Sequence, residues 1–270
     1  PFTDAIFRQK KPVEFLPKRG VFSPVFYLLK PLRQNAESRK TPIKKNTLAA
    51  PLSPLYNQTK NGKEERTIEQ IILDVSRWQG RIDWDAAARS GAVDGVMLRV
   101  LGSKNGQPYL DPMFEQNYAA CTKCGIPVGG YYYTCAVTEA QVDAELAALR
   151  AALTGKRFQL PIAIDVEDAR LRALSPAQLA ALVVRAASQL EAWNLYAMIY
   201  TYTNFADTAL AMDALAAYDL WLADYRGKCP ARPHGMWQYT SSGHAAGIRG
   251  PVDLSRTSKD YPAIHKRTGL

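Results

Sequence analysis

Two acidic residues at the end of a short apolar segment are the first candidates for chemistry in this 270-residue sequence. The segment from Leu160 to Asp168 reads LPIAIDVED, and its β-branched residues predict a strand. Because side chains alternate along a strand, Asp165 and Glu167 are expected on one face, with Cβ atoms roughly 6.5 Å apart. Two carboxyls this close in a partly desolvated site raise one pKa, as general acid catalysis requires. The alternative for an isolated Asp-x-Glu pattern is an ordinary solvated strand end.

Two further acids favour the catalytic interpretation. Asp74 ends the first predicted strand and Asp253 lies on the last. First and last strands are neighbours in a closed barrel, so both acids are expected at the same carboxyl-end rim. Aromatic residues crowd the other strand ends: Tyr131, Tyr132, Tyr133, Tyr200, Tyr202, Trp221, Tyr225, Trp237 and Tyr239. Aromatic rings stack on sugars while carboxyls cleave glycosidic bonds, so the pattern predicts a saccharide cleft.

Short apolar runs alternating with helical stretches must position these side chains. Eight strands are predicted, at 71–76, 95–101, 127–134, 160–167, 195–202, 219–225, 235–239 and 252–254. Helices are predicted to start at Asp83, Asp111-Pro112, Thr138 and Ser175, and a fifth is expected over Asn204–Ala217. Five βα units followed by three strands predict an α/β fold, an irregular TIM-like (β/α)5(β)3 barrel over residues 69–270. An open doubly wound sheet is the alternative.

The net charge of +9 is concentrated at the N-terminus. Residues 1–70 hold 14 Lys and Arg against 6 Asp and Glu, whereas residues 71–270 hold 20 against 19. With eight prolines among its first 54 residues, the segment 1–68 is predicted to be a basic, largely irregular arm or linker. Its apolar stretch Val21–Leu32 is broken by Pro24 and lacks a small-residue cleavage site, so no clear signal peptide is identified. No apolar run predicts a transmembrane segment.

The remaining motifs argue against cofactor chemistry. Cys121 and Cys124 have zinc-ligand spacing but lack the second pair or His partners of a closed site, and ordinary thiols on a helix are expected instead. Four cysteines in so long a chain do not make a disulfide scaffold. No Gly-x-Gly-x-x-Gly or P-loop occurs. We therefore expect no metal and no organic cofactor. The +9 charge by itself suggests an anionic partner such as nucleic acid, a membrane or cell wall. No nucleic-acid partner is expected for the barrel, and nucleic acid is an alternative target of the basic arm.

The region from about Ile71 to Leu254 resembles glycoside hydrolase family 25, the Chalaropsis-type lysozymes or N-acetylmuramidases. The matching motifs run in order along it: Asp74-Val-Ser-Arg-Trp-Gln-Gly80, Ile82-Asp-Trp84, Tyr109-Leu-Asp-Pro-Met-Phe-Glu-Gln-Asn117, Gly125-Ile-Pro-Val-Gly-Gly-Tyr131, Pro161–Glu167, Ile199-Tyr-Thr201, Leu220-Trp-Leu-Ala223, Trp237-Gln-Tyr-Thr-Ser-Ser-Gly243 and Val252-Asp-Leu254. The sequence departs from the family at Leu98–Ser103, where many members carry a Lys-Ala-Thr-Glu-Gly-like strand end, and at Tyr132, where some carry His.

The resemblance implies hydrolysis of the β-1,4 bond between N-acetylmuramic acid and N-acetylglucosamine in bacterial peptidoglycan. Glu167 would be the general acid/base, Asp165 would assist as nucleophile or by orienting the substrate's N-acetyl group, and Asp74 and Asp253 would tune the site. Together with the aromatic pattern it assigns substrate binding to Trp78, Arg99, Tyr131, Tyr133, Tyr200, Trp221, Asp224, Tyr225, Trp237 and Gln238.

The resemblance also sets expectations for the setting of the enzyme. A monomer is expected, acting outside the cell, at the cell wall or as a released phage endolysin. The basic arm would bind anionic wall polymers, or would be a simple linker. The alternative function is a catalytically inactive wall-binding module on the same barrel.

Overall fold

The structure, a computed structural model, describes residues 69–269. The predicted basic arm over 1–68 lies outside the described residues. Within them the chain forms nine strands: β1 Gln70–Val75, β2 Gly95–Lys104, β3 Gln107–Leu110, β4 Val128–Tyr133, β5 Ile162–Asp165, β6 Ala197–Tyr202, β7 Asp219–Ala223, β8 Met236–Gly243 and β9 Val252–Thr257.

Eight of these strands close into a barrel, as the sequence predicts. The order around it is β1-β9-β8-β7-β6-β5-β4-β2, and β1 pairs with β2 to complete the ring. All neighbours are parallel except β9, which is antiparallel to both β8 and β1. The closed ring rules out the doubly wound alternative. The strand that the sequence analysis missed, β3, forms a hairpin with the end of β2 through Asn105 and Gly106, both at positive φ.

Five helices cover the outside of the barrel: α1 Trp84–Ser90, α2 Phe114–Cys124, α3 Glu139–Leu153, α4 Pro176–Ala192 and α5 Thr203–Thr208. The sixth, α6 Tyr261–Thr268, contributes Tyr261 to the apolar side chains of the barrel interior. The capping side chains of Asp83, Thr138 and Ser175 accept bonds from the first turns of α1, α3 and α4, as predicted. Among residues 69–269, no helix has the length and apolar character needed to cross a bilayer.

Two helix predictions were wrong. α2 begins at Phe114 rather than at Pro112, because Pro112 and Met113 form a turn that precedes the helix. The fifth helix, predicted over Asn204–Ala217, ends at Thr208 and is followed by a separate 3-10 turn at Met212–Leu215. α6 at the C-terminus was not predicted.

Apolar side chains pack in two layers that the strands separate. The outer layer lies between strands and helices and includes Leu179, Val183 and Leu190 of α4. The inner layer fills the barrel with large side chains, including Met97, Tyr131, Met198, Tyr200 and Trp221. The filled interior is typical of eight-stranded β/α barrels, so ligands are restricted to the open end of the barrel.

Candidate active site

A cleft of about 310 Å³ opens where the parallel strands end. Its walls hold all four predicted acids and six of the ten predicted substrate-binding residues: Asp74, Asp165, Glu167, Asp253, Trp78, Arg99, Tyr131, Tyr133, Tyr200 and Trp221. Ser76 and Gln79 complete the lining and were not predicted. Their Ser-x-x-Gln spacing is the capping-box signal that could have identified them.

Asp74 and Asp253 lie directly opposite each other on antiparallel strands β1 and β9. Opposite residues of such a pair have Cβ atoms about 4.5–5.5 Å apart, and like charges there are destabilising. Burial raises the pKa of Asp74 well above its ordinary value, and the Asp253 charge raises it further. Burial also raises the pKa of Asp253. Repulsion between these two carboxyls lowers the stability of the fold, and packing alone does not explain why both positions are acidic.

Asp165 and Glu167 are presented by the end of β5. The strand ends at Asp165, two residues earlier than predicted, but the Val166 amide still donates to the Tyr200 carbonyl at 2.9 Å and keeps the chain extended. Val166 is fully buried in the outer apolar layer, so the acids on either side of it turn toward the cleft. Asp165 is 4% exposed, and its Oδ1 is buried without a hydrogen-bond partner within the described part of the chain.

The environment of these two carboxyls favours their protonated forms. Burial raises the pKa of Asp165 well above its usual range, helped by the nearby charges of Glu167 and Asp74. Burial likewise raises the pKa of Glu167, with the Asp253 and Asp168 charges adding to it. Because each carboxyl disfavours ionisation of its neighbours, the cluster retains protons at a higher pH than isolated carboxyls would. A retained proton in an accessible cleft is what general acid catalysis needs.

Gln238 holds the Asp74 carboxylate in place from β8. Its Nε2 donates to Asp74 Oδ2 at 2.8 Å, while its Oε1 accepts from the hydroxyls of Tyr200 at 2.9 Å and Tyr225 at 2.6 Å. The side chain is 1% exposed and does not line the cleft. The structure therefore places Gln238 behind the acids, outside the lining of the cleft.

Aromatic side chains form the floor of the cleft. Trp221 is fully buried between Tyr200, whose ring centroid lies 4.7 Å away, and Tyr131, at 5.9 Å. The Trp221 indole donates to Ser255 Oγ at 2.9 Å, which fixes the ring from β9. Burial raises the pKa of both tyrosines well above the usual range. They stay protonated and can donate hydrogen bonds to a ligand or a carboxylate.

Asp111 joins the cleft cation Arg99 to the turn that carries Trp78. It is 1% exposed and accepts from Arg99 Nε at 2.7 Å, with the guanidinium Nη2 at 2.6 Å. The same carboxylate accepts from the backbone amides of Arg77 at 3.1 Å and Met113 at 2.9 Å. The bond from the Met113 amide lies in the turn that leads into α2, so the same carboxylate also supports the start of that helix. Sequence analysis missed this role because strand β2 and the turn are distant in the chain.

The other predicted substrate-binding residues have structural partners at the rim. The Asp224 carboxylate binds the Arg226 guanidinium, and its backbone carbonyl accepts from the Trp237 indole at 2.8 Å. Tyr225 is 52% exposed above the cleft. Tyr133 lines the cleft and donates to Asp168 at 3.0 Å. Asp224, Tyr225 and Trp237 are therefore brought near one another but not into the cleft lining.

No group of three or more His, Cys, Asp and Glu side chains among residues 69–269 is arranged to hold a metal ion. The four cysteines are free thiols, three of them at least partly buried. Burial raises the pKa of Cys135 to about 11, which leaves it as an unreactive thiol at neutral pH.

A closed β/α barrel with clustered carboxyls and an aromatic floor at its carboxyl end defines a glycoside hydrolase. Comparison with known proteins makes the assignment specific. The sequence model of the family described as Glycosyl hydrolases family 25 matches residues 73–248, so the chain belongs to that family.

Relatives and solved structures agree with this membership. The uncharacterized protein YegX of Escherichia coli K12 is 30% identical over 190 residues, which cover 68% of this chain and 67% of YegX. Lysozyme M1 of Streptomyces globisporus is 26% identical over 216 residues, covering 72% of each chain. The autolysin LytC of Streptococcus pneumoniae, solved with a synthetic peptidoglycan ligand, superposes with a TM-score of 0.61 at 25% identity. That match covers 72% of this chain and 47% of LytC, so this chain spans about half the length of that autolysin.

Proposed function

We propose that the chain is a peptidoglycan hydrolase that cleaves the β-1,4 bond between N-acetylmuramic acid and N-acetylglucosamine. The observation that carries the proposal is the meeting of Asp74, Asp165, Glu167 and Asp253 in one aromatic-floored cleft. The name of Lysozyme M1 and the peptidoglycan ligand of LytC support the substrate class.

Glu167 is the general acid/base in this proposal. It is the more accessible of the two acids that end β5, and burial and the Asp253 charge raise its pKa. A protonated Glu167 donates to the leaving glycosidic oxygen and afterwards accepts a proton from the attacking water.

Asp165 assists from the cleft floor, where its buried Oδ1 has no hydrogen-bond partner among residues 69–269. It acts either as the nucleophile or by orienting the N-acetyl group of the substrate. Asp74, fixed by Gln238, and Asp253 hold the substrate and keep the neighbouring carboxyls protonated.

Hydrolysis of purified peptidoglycan by Glu167→Gln tests the assignment. Loss of the general acid should lower kcat by about 100- to 10,000-fold. The matched control is Glu139→Gln, the same chemical change at an exposed position on α3, which should keep normal activity. Mass spectrometry of the released sugars should show muramic acid at the reducing end.

Other outcomes separate the alternatives. Near-normal activity of Glu167→Gln would refute the role of Glu167, and reducing-end glucosamine would redirect the specificity to a glucosaminidase. Wall binding without any sugar release by the unmodified chain would identify the inactive wall-binding module.

A further inference from the structure

Arg77 is an exposed cation at the edge of the cleft, stacked on two aromatic rings. Its guanidinium carbon lies 4.4 Å from the ring centroid of Trp78 and 5.6 Å from that of Tyr109. Trp78 lines the cleft and is 72% exposed. Stacking on aromatic rings uses the face of a guanidinium and leaves the N–H donors in its plane available to an acceptor.

Arg77 has no carboxylate partner among residues 69–269, in contrast to three other arginines at this end of the barrel. Carboxylates bind these three: Asp111 binds Arg99 at 2.6 Å, Asp168 binds Arg170 at 2.8 Å and Asp224 binds Arg226 at 2.5 Å. Asp111 accepts from the Arg77 backbone amide at 3.1 Å, not from its guanidinium. The Arg77 charge is therefore available to an anion from outside the chain.

The turn that carries Arg77 is fixed before any ligand binds. Ser76 Oγ accepts from the Trp78 amide at 3.3 Å, and Gln79 Oε1 accepts from the Ser76 amide at 2.9 Å. Together with the bond from the Arg77 amide to Asp111, these contacts fix the backbone of the turn. A preorganised site loses little conformational entropy on binding.

The charge of the cleft explains why a cation at its edge matters. Four carboxyls line the cleft, and Arg99, the cation in its lining, is already paired with Asp111. An anionic group entering this acid cluster would be repelled. The substrate in the proposed function carries carboxylates on its peptide stems, or on its lactyl groups where the peptides are absent. A carboxylate bound at Arg77 stays outside the acid cluster while the adjoining sugar contacts Trp78.

We propose that Arg77, Trp78 and Tyr109 form an anion-binding ledge that recognises a carboxylate of the glycan substrate and so contributes to specificity. The inference rests on the proposed function and deepens it. The peptide stem and the lactyl group both carry a carboxylate, and the binding experiment distinguishes between these two sources.

Calorimetric binding to soluble glycan fragments tests the ledge, with all variants made in a Glu167→Gln background so that no turnover occurs. Three fragments are compared: one with native peptide stems, one with all stem carboxylates converted to amides, and one without peptides that retains lactyl carboxylates. Arg77→Gln should weaken binding of the native fragment about five-fold, as expected for one partly exposed ion pair. Arg77→Lys, which keeps the charge, should recover part of the loss.

The amidated fragment should bind the parent and Arg77→Gln with similar Kd values, because without a carboxylate on the fragment neither protein can form the ion pair. Arg89→Gln, the same change on the last turn of α1, is the matched control and should behave as the parent does. A loss at Arg77→Gln that persists with the peptide-free fragment assigns the lactyl carboxylate, and a loss confined to the native fragment assigns the stem.

The proposal would be overturned if the parent and Arg77→Gln had the same ratio of Kd values for the native and amidated fragments. It would also be overturned if the parent bound none of the fragments. Because binding does not depend on which bond is cut, the result stands apart from the sugar-release assay. Absence of reducing-end muramic acid would refute the proposed function and leave the Kd comparison to decide the ledge.

Discussion

Replacing Asp165 by Asn should stabilise the fold while removing activity. Asp165 is 4% exposed, and one of its oxygens has no hydrogen-bond partner among residues 69–269. It lies two residues from Glu167, roughly 6.5 Å along the extended chain. Two full charges at that separation repel by about 2.5 kcal/mol at an effective dielectric constant of about 20. Because the pair retains protons part of the time, we expect a gain of about 1–2 kcal/mol in the free energy of unfolding at pH 8. For about 200 residues this corresponds to a Tm higher by about 3–6 °C.

The pH dependence is the sharper part of this prediction. The pKa of Asp165 is raised in the folded state, so the folded protein binds more protons than the unfolded chain at intermediate pH. The favourable contribution of the protonated group is fully present below the ordinary Asp pKa of about 4 and is lost as the pH rises through the raised value. The stability advantage of Asp165→Asn should therefore be absent near pH 4 and increase toward pH 8.

Urea denaturation at several pH values measures this difference. Asp143→Asn is the matched control of opposite sign, because Arg185 lowers the pKa of that exposed carboxyl and the substitution removes a favourable ion pair. A stability difference for Asp165→Asn that is independent of pH, or a destabilisation that grows toward pH 8, would refute the electrostatic account of the cleft.

Two further predictions concern Gln238 and the N-terminal segment. Gln238→Met removes the side chain that donates to Asp74 and accepts from Tyr200 and Tyr225, so the free energy of unfolding should fall by about 2–4 kcal/mol. An unchanged urea midpoint would contradict that network. Removal of residues 1–68, which carry most of the +9 charge, should make retention on bacterial walls insensitive to salt. Equal salt dependence with and without the segment would show that the basic arm is a linker.

The fold could be predicted from the sequence because the local sequence patterns agree with the global topology. Strands such as β2 and β6 are apolar runs bounded by turn residues, and the Ser175 capping box marks the start of α4. The alternation of strands and helices then leaves few topologies. The hairpin of β2 and β3 was missed although Asn105-Gly106 is a strong turn signal, because the run continuing from the predicted strand was interpreted as a loop.

The partnerships within the site were less accessible. The four acids could be predicted because three of them lie on barrel strands and Glu167 follows the end of β5 by two residues. The contact of Gln238 with Asp74 joins residues 164 positions apart, and the bond from the Arg77 amide to Asp111 spans 34. Such contacts depend on strand register and side-chain rotamers, which no local pattern specifies. Asp224 and Trp237, predicted to bind substrate, lie outside the cleft lining: the Trp237 indole donates to the Asp224 carbonyl, and the Asp224 carboxylate binds Arg226.

The places where local rules fail are informative about function. Asp74 lies opposite Asp253, which places two like charges side by side. Asp165 is buried, and its Oδ1 has no hydrogen-bond partner among residues 69–269. Both departures lie in the lining of one cleft. Destabilising features cluster in this way where residues serve catalysis at the expense of stability. They therefore support the cleft as the active site independently of the family match.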